Sequence, residues 1–396
     1  MRITKSILYF ASLLGSMILA CQQESGAQSI EFPASAGVLN VTDFGVTPDD
    51  GVDDTAAIQA ILDSTLAPPI GGGDFIIYFP DGVYDISSTV QIPNPARFIN
   101  LQGQSKGGVV LKLQDNLLDS QSAPFSGAMI NFSGGSADRF ENSLRDMTLD
   151  IGSGNPSAIG VQFNASNQGV VRDLNIVSSD PAGAGSIGLD LGYDSTIGPL
   201  LAKNIAVDGF DVGIRSQFET NSKVLENITV TNQNLYGWQN SNTATTMARN
   251  FTSVNSVPAI FNASAAAGDP GNGRLVLVGG SLTGVGNAST QPAIFNGNFV
   301  PAVYLRDVST SGYDVALNRT AKGFIGNTGL PDGEIEEYWF AGSSTSRRGG
   351  TFELFDNAPD TMLGLPIRET PEAIVEPISS WVTPTDFGAT PDDGIR

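Results

Sequence analysis

A short pattern that recurs through the middle of the chain constrains the fold more than any other feature. In this pattern Asp or Asn precedes an apolar residue that alternates with small or polar ones, as in Arg145-Asp146-Met147-Thr148-Leu149. The central apolar residues are Met147, Leu174, Ile205, Ile228, Phe251 and Val308. Gly280-Ser281-Leu282 divides the one long gap in the series. A repeat of about 20 to 50 residues is typical of a solenoid.

Each repeat holds a second short segment, in which a small residue and apolar residues precede a polar one. Examples are Ile187-Gly188-Leu189-Asp190-Leu191 and Val212-Gly213-Ile214-Arg215-Ser216. Such segments are too short and too rich in Val, Ile, Thr and Asn for helices. We therefore predict stacked coils of short parallel strands about 4.8 Å apart. Inward apolar residues would form the core, and asparagines at the turns would hydrogen-bond from coil to coil.

The composition excludes several kinds of chemistry. Histidine is absent from the 396 residues. A Ser-His-Asp triad, a histidine general base and a His-ligated metal site are therefore excluded. The formal net charge of −21 makes nucleic acid an unfavourable partner, and an anionic polymer would be repelled unless a cation intervened. Neutral glycans meet no such repulsion.

Residues 1–21 have the features of an export signal. Arg2 and Lys5 precede an apolar run that is too short for a membrane span and that ends in Ile18-Leu19-Ala20-Cys21. This ending resembles a bacterial lipobox, and Cys21 is the only cysteine. The resemblance implies an exported lipoprotein, lipidated at Cys21 and held at the outer membrane or cell surface. Residues 22–37 would be its tether.

A longer motif opens the folded part of the chain. Asp43-Phe44-Gly45, Asp49-Asp50-Gly51, Asp53-Asp54-Thr55-Ala56-Ala57-Ile58 and Ile77-Tyr78-Phe79-Pro80-Asp81-Gly82 follow one another in order. This motif resembles the opening of pectate lyase superfamily proteins of the rhamnogalacturonase and epimerase-like type. The resemblance implies an all-β fold over residues 38–345, a single-stranded right-handed parallel β-helix whose N-terminal end is capped by the helix that contains Ile58. Asp53 or Asp54 would cap that helix.

The end of the chain repeats its beginning. Thr385-Asp386-Phe387-Gly388 and the residues up to Gly394 restate Thr42 to Gly51 almost residue for residue. The preceding stretch from Leu365 onward is Pro-rich and lacks the coil pattern, so we expect residues 346–380 to form a linker. We therefore expect residues 381–396 to begin a second β-helix. Tandem β-helices of this type resemble exo-β-1,3-glucanases, and in that case this chain would carry only part of the site.

Candidate site residues come from two neighbouring coils. Glycoside hydrolysis requires two carboxyl groups about 5 to 10 Å apart. The candidate catalytic residues are Asp208, Asp211, Asp190 and Asp194. The candidate substrate-binding residues are Arg215, Glu219, Tyr193 and Trp238. The same carboxylates are equally consistent with turn chemistry, and the aromatic rings with core packing.

Three functions are compatible with this reading. The first is a surface-anchored glycoside hydrolase that acts without a cofactor on a β-glucan or pectin-like polysaccharide. The second is a glycan-binding module or adhesin without turnover. The third is a pectate-type lyase that requires Ca²⁺ and uses Arg172, Lys203, Arg215 or Arg249 as its base.

Overall fold

The computed structural model defines most of the region that carries the repeats. It describes residues 29–34, 36–65, 75–93, 97–119, 121–132, 139–194, 197–218, 222–242, 244–263, 274–297, 302–319, 329–343, 353–357, 366–367, 380, 382 and 384–390. No helix in these ranges is long and apolar enough to cross a membrane.

Strands dominate the described residues and form two sheets. The larger, sheet A, has 14 strands. They are β1 (Leu39–Asn40), β2 (Phe75–Phe79), β3 (Gly82–Ile86), β5 (Ile99–Gly103), β6 (Val109–Leu113), β8 (Ser143–Asp150), β10 (Ser166–Val177), β12 (Gly198–Asp208), β14 (Lys223–Thr231), β16 (Thr245–Asn255), β18 (Arg274–Gly284), β20 (Ala302–Ser311), β22 (Glu334–Ser343) and β23 (Glu353–Asn357).

The second sheet, sheet B, has nine strands. They are β4 (Val90–Ile92), β7 (Ala128–Phe132), β9 (Ile159–Gln162), β11 (Ile187–Leu191), β13 (Val212–Phe218), β15 (Tyr236–Asn242), β17 (Ile260–Asn262), β19 (Pro292–Asn296) and β21 (Val315–Arg319). From β8 to β21 the strands alternate between the two sheets, and within this series each strand pairs in parallel with its counterpart in the adjacent coil. This is the stacked-coil solenoid that the repeats predict.

The recurring apolar residues form one continuous column inside the solenoid. Their strand register runs Met147–Leu174–Ile205–Ile228–Phe251–Gly280–Val308. The six apolar side chains of this column are all buried, with at most 2% of their surface exposed. Gly280 occupies the coil that the sequence gap left open. The predicted interior column is therefore confirmed.

The Asp or Asn before each of these residues makes the strand bend. Asp146, Asp173, Asn204, Asn227, Asn250 and Asp307 all have φ between 51° and 56°. Asn and Asp tolerate this left-handed backbone better than other side chains with a Cβ, which explains their recurrence. Gly279 holds the same place with φ 72°.

The amides of these bend residues hydrogen-bond along the axis, and we call the series the bend ladder. Asn204 Nδ2 donates to Asp173 Oδ1 at 2.8 Å, and Asn227 Nδ2 donates to Asn204 Oδ1 at 2.9 Å. Asn250 Nδ2 continues the series with a 2.9 Å bond to Asn227 Oδ1. The predicted coil-to-coil hydrogen bonds between asparagines are confirmed.

One α-helix, α1 (Thr55–Ser64), covers the N-terminal end of the core. Ile58, Ile61 and Leu62 on its inner face are buried in the same apolar cluster as the coils. The carboxylate of Asp53, rather than that of Asp54, accepts a hydrogen bond from the Thr55 backbone amide at 3.0 Å. The helix closes the end of a stack that would otherwise expose its core to water.

Both ends of the solenoid show further contacts. Ile30, in the segment assigned above to the tether, donates its amide to the Gln104 carbonyl at 2.8 Å, so this part of the segment packs on an early coil. At the other end β22 and β23 add to sheet A in antiparallel orientation. Three 3₁₀ helices complete the described elements, at Val41–Phe44, Gly286–Thr290 and Pro384–Phe387. The first and last lie in the two copies of the repeated motif, and both are followed by a left-handed glycine.

Candidate polysaccharide-binding site

The outward side chains of sheet B form a straight row along the solenoid axis. Strand register places one residue of each coil in this sheet B row. Its members are Gln91, Asn131, Gln162, Asp190, Arg215, Gln239, Phe261, Phe295 and Asn318. Because side chains in a strand alternate between its two faces, the apolar neighbours of these residues point into the core.

The amides at the N-terminal end of the row bond to one another. Gln91 Nε2 donates to Asn131 Oδ1 at 3.2 Å, and Asn131 Nδ2 donates to Gln162 Oε1 at 2.6 Å. Gln162 Nε2 then donates to Asp190 Oδ2 at 3.2 Å. These bonds fix the amide groups and orient the carboxylate of Asp190, which is the last acceptor in this series of hydrogen bonds.

Asp190 and Arg215 form an ion pair at the centre of the row. Arg215 Nε donates to Asp190 Oδ1 at 2.9 Å, and its Nη2 donates to Oδ2 at 2.6 Å. The backbone N–H of Gly192 and the side-chain Nε2 of Gln162 also donate to this carboxylate, which therefore accepts four hydrogen bonds. Asp190 is fully buried, whereas the Arg215 side chain is 26% exposed. The buried carboxylate thus holds the guanidinium of a side chain that is partly exposed to solvent.

Aromatic rings continue the row toward the C-terminal end. Tyr236 stacks on Phe261 with ring centroids 4.3 Å apart, and Phe261 stacks on Phe295 at 5.1 Å. Rings stacked on one another cover their own faces, which are the surfaces a sugar would stack on. The stack therefore offers ring edges beside Gln239 and mainly stabilises the coils.

The turn that follows β11 contains two of the predicted residues. Tyr193 packs against the core and donates its hydroxyl to the Phe132 carbonyl. Burial raises the pKa of Tyr193, and the nearby Asp194 raises it further. Asp194 is half-exposed. Tyr193 is therefore a packed, neutral residue, while Asp194 is the predicted carboxylate in this turn with access to solvent.

Lys223, at the start of β14, lies inside the solenoid beyond the end of β13. Its side chain is fully buried, and its Nζ is 3.5 Å from the Gln217 carbonyl oxygen. Burial lowers the pKa of Lys223 to about 7, although the carboxylate of Asp190 acts in the opposite direction. The sequence pattern does not predict this residue, because the pattern assigns apolar side chains to the interior and lysine is charged.

Asp208 and Asp211 lie at the opposite end of the sheet B strands from Asp194. Asp208 Oδ1 accepts from Thr231 Oγ1 at 2.7 Å and from Asn232 Nδ2 at 2.6 Å, so it links two coils. Asp211 precedes β13 in the same turn. The four candidate carboxylates are therefore divided in the structure: Asp190 pairs with Arg215 and Asp194 follows it in the turn after β11, whereas Asp208 and Asp211 lie in a turn at the other end of the strands.

Of the remaining predicted residues, Trp238 does not join the row. Trp238 is fully buried, and its Nε1 donates to Ser216 Oγ at 3.0 Å, so its ring lies in the core and is out of reach of a glycan. Glu219 and Cys21 lie outside the described residues.

The other cations considered as lyase bases lie on sheet A. Lys203 and Arg249 both pair with Glu226, at 3.9 Å and 2.9 Å. Arg172 pairs with the neighbouring Asp173 at 3.2 Å. Of the four basic candidates, Arg215 alone belongs to the sheet B row. Within the described residues, no group of three or more acidic or sulfur side chains is gathered as metal ligands would be.

Stacked parallel strands, a bend ladder and a helix over the N-terminal end define a parallel β-helix protein of the pectate lyase type. The family described as rhamnogalacturonase A/epimerase, pectate lyase-like matches residues 38–262. This match spans more than half of the chain, which therefore belongs to that family, as the opening motif predicted.

Individual relatives match over a smaller share. Mannuronan C5-epimerase AlgE4 of Azotobacter vinelandii is 30% identical over 196 residues, which cover 46% of this chain and 34% of that protein. Alginate lyase 7 of the same organism is 25% identical over 49% of this chain and 22% of its own length. The chain thus spans about a third or less of these curated relatives. Among solved structures, the A-module of AlgE4 has a TM-score of 0.38 at 17% identity and covers 72% of this chain and 98% of its own.

Proposed function

We propose that this protein is a carbohydrate-active enzyme that binds a polysaccharide along the sheet B row and acts on it beside Arg215. The observation that supports the proposal is the Asp190–Arg215 pair. Two hydrogen bonds to a buried carboxylate fix the guanidinium, while the Arg215 side chain is 26% exposed. A fixed guanidinium is suited to a carboxylate or to sugar hydroxyls.

A uronic-acid polymer is the substrate class that we place first. The row offers amides on one side of Arg215 and Gln239 on the other, and both amides and guanidinium can bind sugar oxygens. The names of the curated relatives, mannuronan C5-epimerase and alginate lyase, point the same way. Arg215 would neutralise the uronate carboxylate, which favours removal of the adjacent proton by stabilising the charge that develops. Under this hypothesis Ca²⁺ remains a candidate for neutralising further carboxylates of the polymer.

The hydrolase is the second candidate, with Asp194 as its observed support. Hydrolysis needs one carboxylic acid and one carboxylate. Asp190 has all of its acceptor positions occupied and so serves Arg215 better than it would serve as an acid or nucleophile. Asp194 would be one member of the pair, and the other would lie outside the sheet B row.

A panel of polymers tests these alternatives. The full chain is incubated with polymannuronate, polygalacturonate and laminarin, with and without Ca²⁺. An ultraviolet-absorbing unsaturated product identifies a lyase, deuterium uptake from D₂O without cleavage identifies an epimerase, and reducing ends alone identify a hydrolase. Binding without any product identifies a glycan-binding module and refutes the enzyme proposal.

Two matched arginine variants test the position of the site. Arg215→Gln should weaken glycan binding or turnover at least about tenfold, because a charged contact is lost. Arg172→Gln is the control, because that side chain is similarly exposed, at 20%, but lies on sheet A. Equal loss in both variants, with both folded by circular dichroism, would place the site elsewhere.

The location of the protein is also a proposal. An export signal and lipidation at Cys21 would hold the β-helix at the cell surface, where polysaccharides are accessible. Mass spectrometry of the membrane fraction should find a diacylglyceryl group on Cys21. Cys21→Ser should release the protein into the soluble fraction, and unchanged fractionation together with an unmodified Cys21 would refute the anchor.

A further inference from the structure

The turn that follows β11 contacts both members of the Asp190–Arg215 pair through one glycine. The backbone N–H of Gly192 donates to Asp190 Oδ1 at 2.9 Å. A Cβ on Gly192 would lie 3.2 Å from Arg215 Cγ, 2.9 Å from Gln217 Cβ and 3.0 Å from the Gln217 backbone nitrogen. The stem of Arg215 and the backbone of β13 therefore pass against the bare Cα of Gly192.

Space, rather than backbone conformation, accounts for glycine at this position. Gly192 is not one of the glycines with a left-handed backbone, so a residue with a Cβ could adopt its φ. Two of the atoms that a Cβ would meet belong to the backbone and the Cβ of Gln217, which are fixed by the strand. An added methyl group in such a packed place displaces its neighbours. The Arg215 stem is the neighbour that can move, because it can change rotamer.

The Arg215 side chain is thus held at two points. Its guanidinium donates to both carboxylate oxygens of Asp190, at 2.9 Å and 2.6 Å, and its Cγ lies in the space beside Gly192. Arginine has many rotamers, and each of these contacts excludes some of them before a ligand arrives. A guanidinium that is ordered in advance binds more tightly than a mobile one, because less side-chain freedom is lost on binding.

We propose that Gly192 is a positioning residue, which orients the Asp190 carboxylate with its N–H and leaves free the space that the Arg215 stem occupies. Any side chain at this position pushes the stem out of that space and moves the guanidinium from its place on the sheet B row. Gly192 acts through the ion pair. The effect on glycan binding rests on the proposed function, whereas the effect on the ion pair does not.

Side-chain NMR of the full chain tests the ion pair without any glycan. In the wild-type protein a nuclear Overhauser effect should join the Gly192 Hα and Arg215 Hγ protons. Gly192→Ala keeps the backbone N–H but should raise solvent exchange of the Arg215 Nε–H about tenfold, because the guanidinium loses its fixed place. Absence of the wild-type effect, or unchanged exchange in the folded variant, would overturn the proposal. The wild-type measurement tests the contact even if Gly192→Ala does not fold.

Gly280→Ala is the matched control for general destabilisation. A Cβ on Gly280 would lie 3.0 Å from the Phe251 carbonyl oxygen, so the crowding is similar, but Gly280 belongs to the interior column of sheet A. Its backbone is not left-handed either. This variant should leave exchange of the Arg215 Nε–H unchanged. A rise equal to that in Gly192→Ala would attribute the effect to loss of stability and would overturn the proposal.

A double-mutant cycle connects Gly192 to the glycan. Binding of polymannuronate, polygalacturonate and laminarin is measured for wild type, Gly192→Ala, Arg215→Gln and the double variant. Gly192→Ala should weaken binding about tenfold by itself but add little to Arg215→Gln, because both changes act on the same contact. Equal weakening in both backgrounds would mean that Gly192 does not act through Arg215, and the proposal would be wrong. If exchange at Arg215 rises as proposed but affinity for all three polymers is the same in every variant, the positioning role stands and the proposed binding site fails.

Discussion

Asn227 offers the sharpest test of what holds the coils in register. Its backbone has φ 54°, its Nδ2 donates to Asn204 Oδ1, and its Oδ1 accepts from Asn250 Nδ2, both at 2.9 Å. Asn227→Ala removes both bonds, each worth about 0.5 to 1.5 kcal/mol. It also places alanine in a left-handed conformation, which costs about 1 kcal/mol more than asparagine. The free energy of unfolding should therefore fall by about 2 to 4 kcal/mol.

Asn227→Gly separates the two contributions. Glycine also loses the side-chain bonds but adopts the left-handed backbone without strain, so it should be about 1 kcal/mol less destabilising than alanine. Urea unfolding followed by circular dichroism measures both variants, and Asn287→Ala, at an exposed asparagine of a 3₁₀ helix, is the control. A loss in Asn227→Ala no larger than in the control would refute the bend ladder as a source of stability. Equal losses for alanine and glycine would refute the strain argument.

Three further predictions concern the site and the core. Asp190→Asn should lower the free energy of unfolding by about 2 to 3 kcal/mol in thermal denaturation, because Arg215 loses a buried partner but remains partly solvated; an unchanged melting temperature would contradict this. Lys223→Met should have a higher free energy of unfolding than wild type at pH 7, because the pKa of Lys223 is lower in the folded state than in the unfolded state. The free energy of unfolding of wild type should rise by about 1.4 kcal/mol per pH unit between pH 7 and about 10, so the advantage of the variant should shrink. Parallel curves of stability against pH for the two proteins would refute this prediction. Trp238→Phe should cost about 1 to 3 kcal/mol of stability through the lost bond to Ser216 and leave glycan affinity unchanged, and weaker binding by a stable variant would return Trp238 to the site.

The fold could be predicted because its determinants repeat. Met147 and Phe251 occupy equivalent places in different coils. One inward residue therefore identified the equivalent residues of the other coils, and the spacing of the repeats also located Gly280. The bend ladder was predictable for a similar reason, since Asn and Asp recur where the backbone needs a left-handed residue. The solenoid needs no long-range information beyond this period.

The site could be predicted only in part. Aligning the segments around Asp190 and Arg215 already places the two residues opposite each other, so their pairing was accessible from sequence. Asp208 and Asp211 were grouped with them because the sequence did not show that these two residues lie at the opposite end of the sheet B strands. Lys223 could not be found, since its burial depends on the neighbouring coils rather than on its own segment.

The bend ladder also bears on how such a chain can change length. Because the coils from Asp146 to Asp307 turn the corner with a left-handed residue that is Asn, Asp or Gly, a whole coil can be inserted or lost without altering the cross-section of its neighbours. Deletions that are not a full coil would shift the corner residue out of line. Natural variation in this protein should therefore come in units of one circuit of the chain, with the Asp190 and Arg215 circuits kept adjacent.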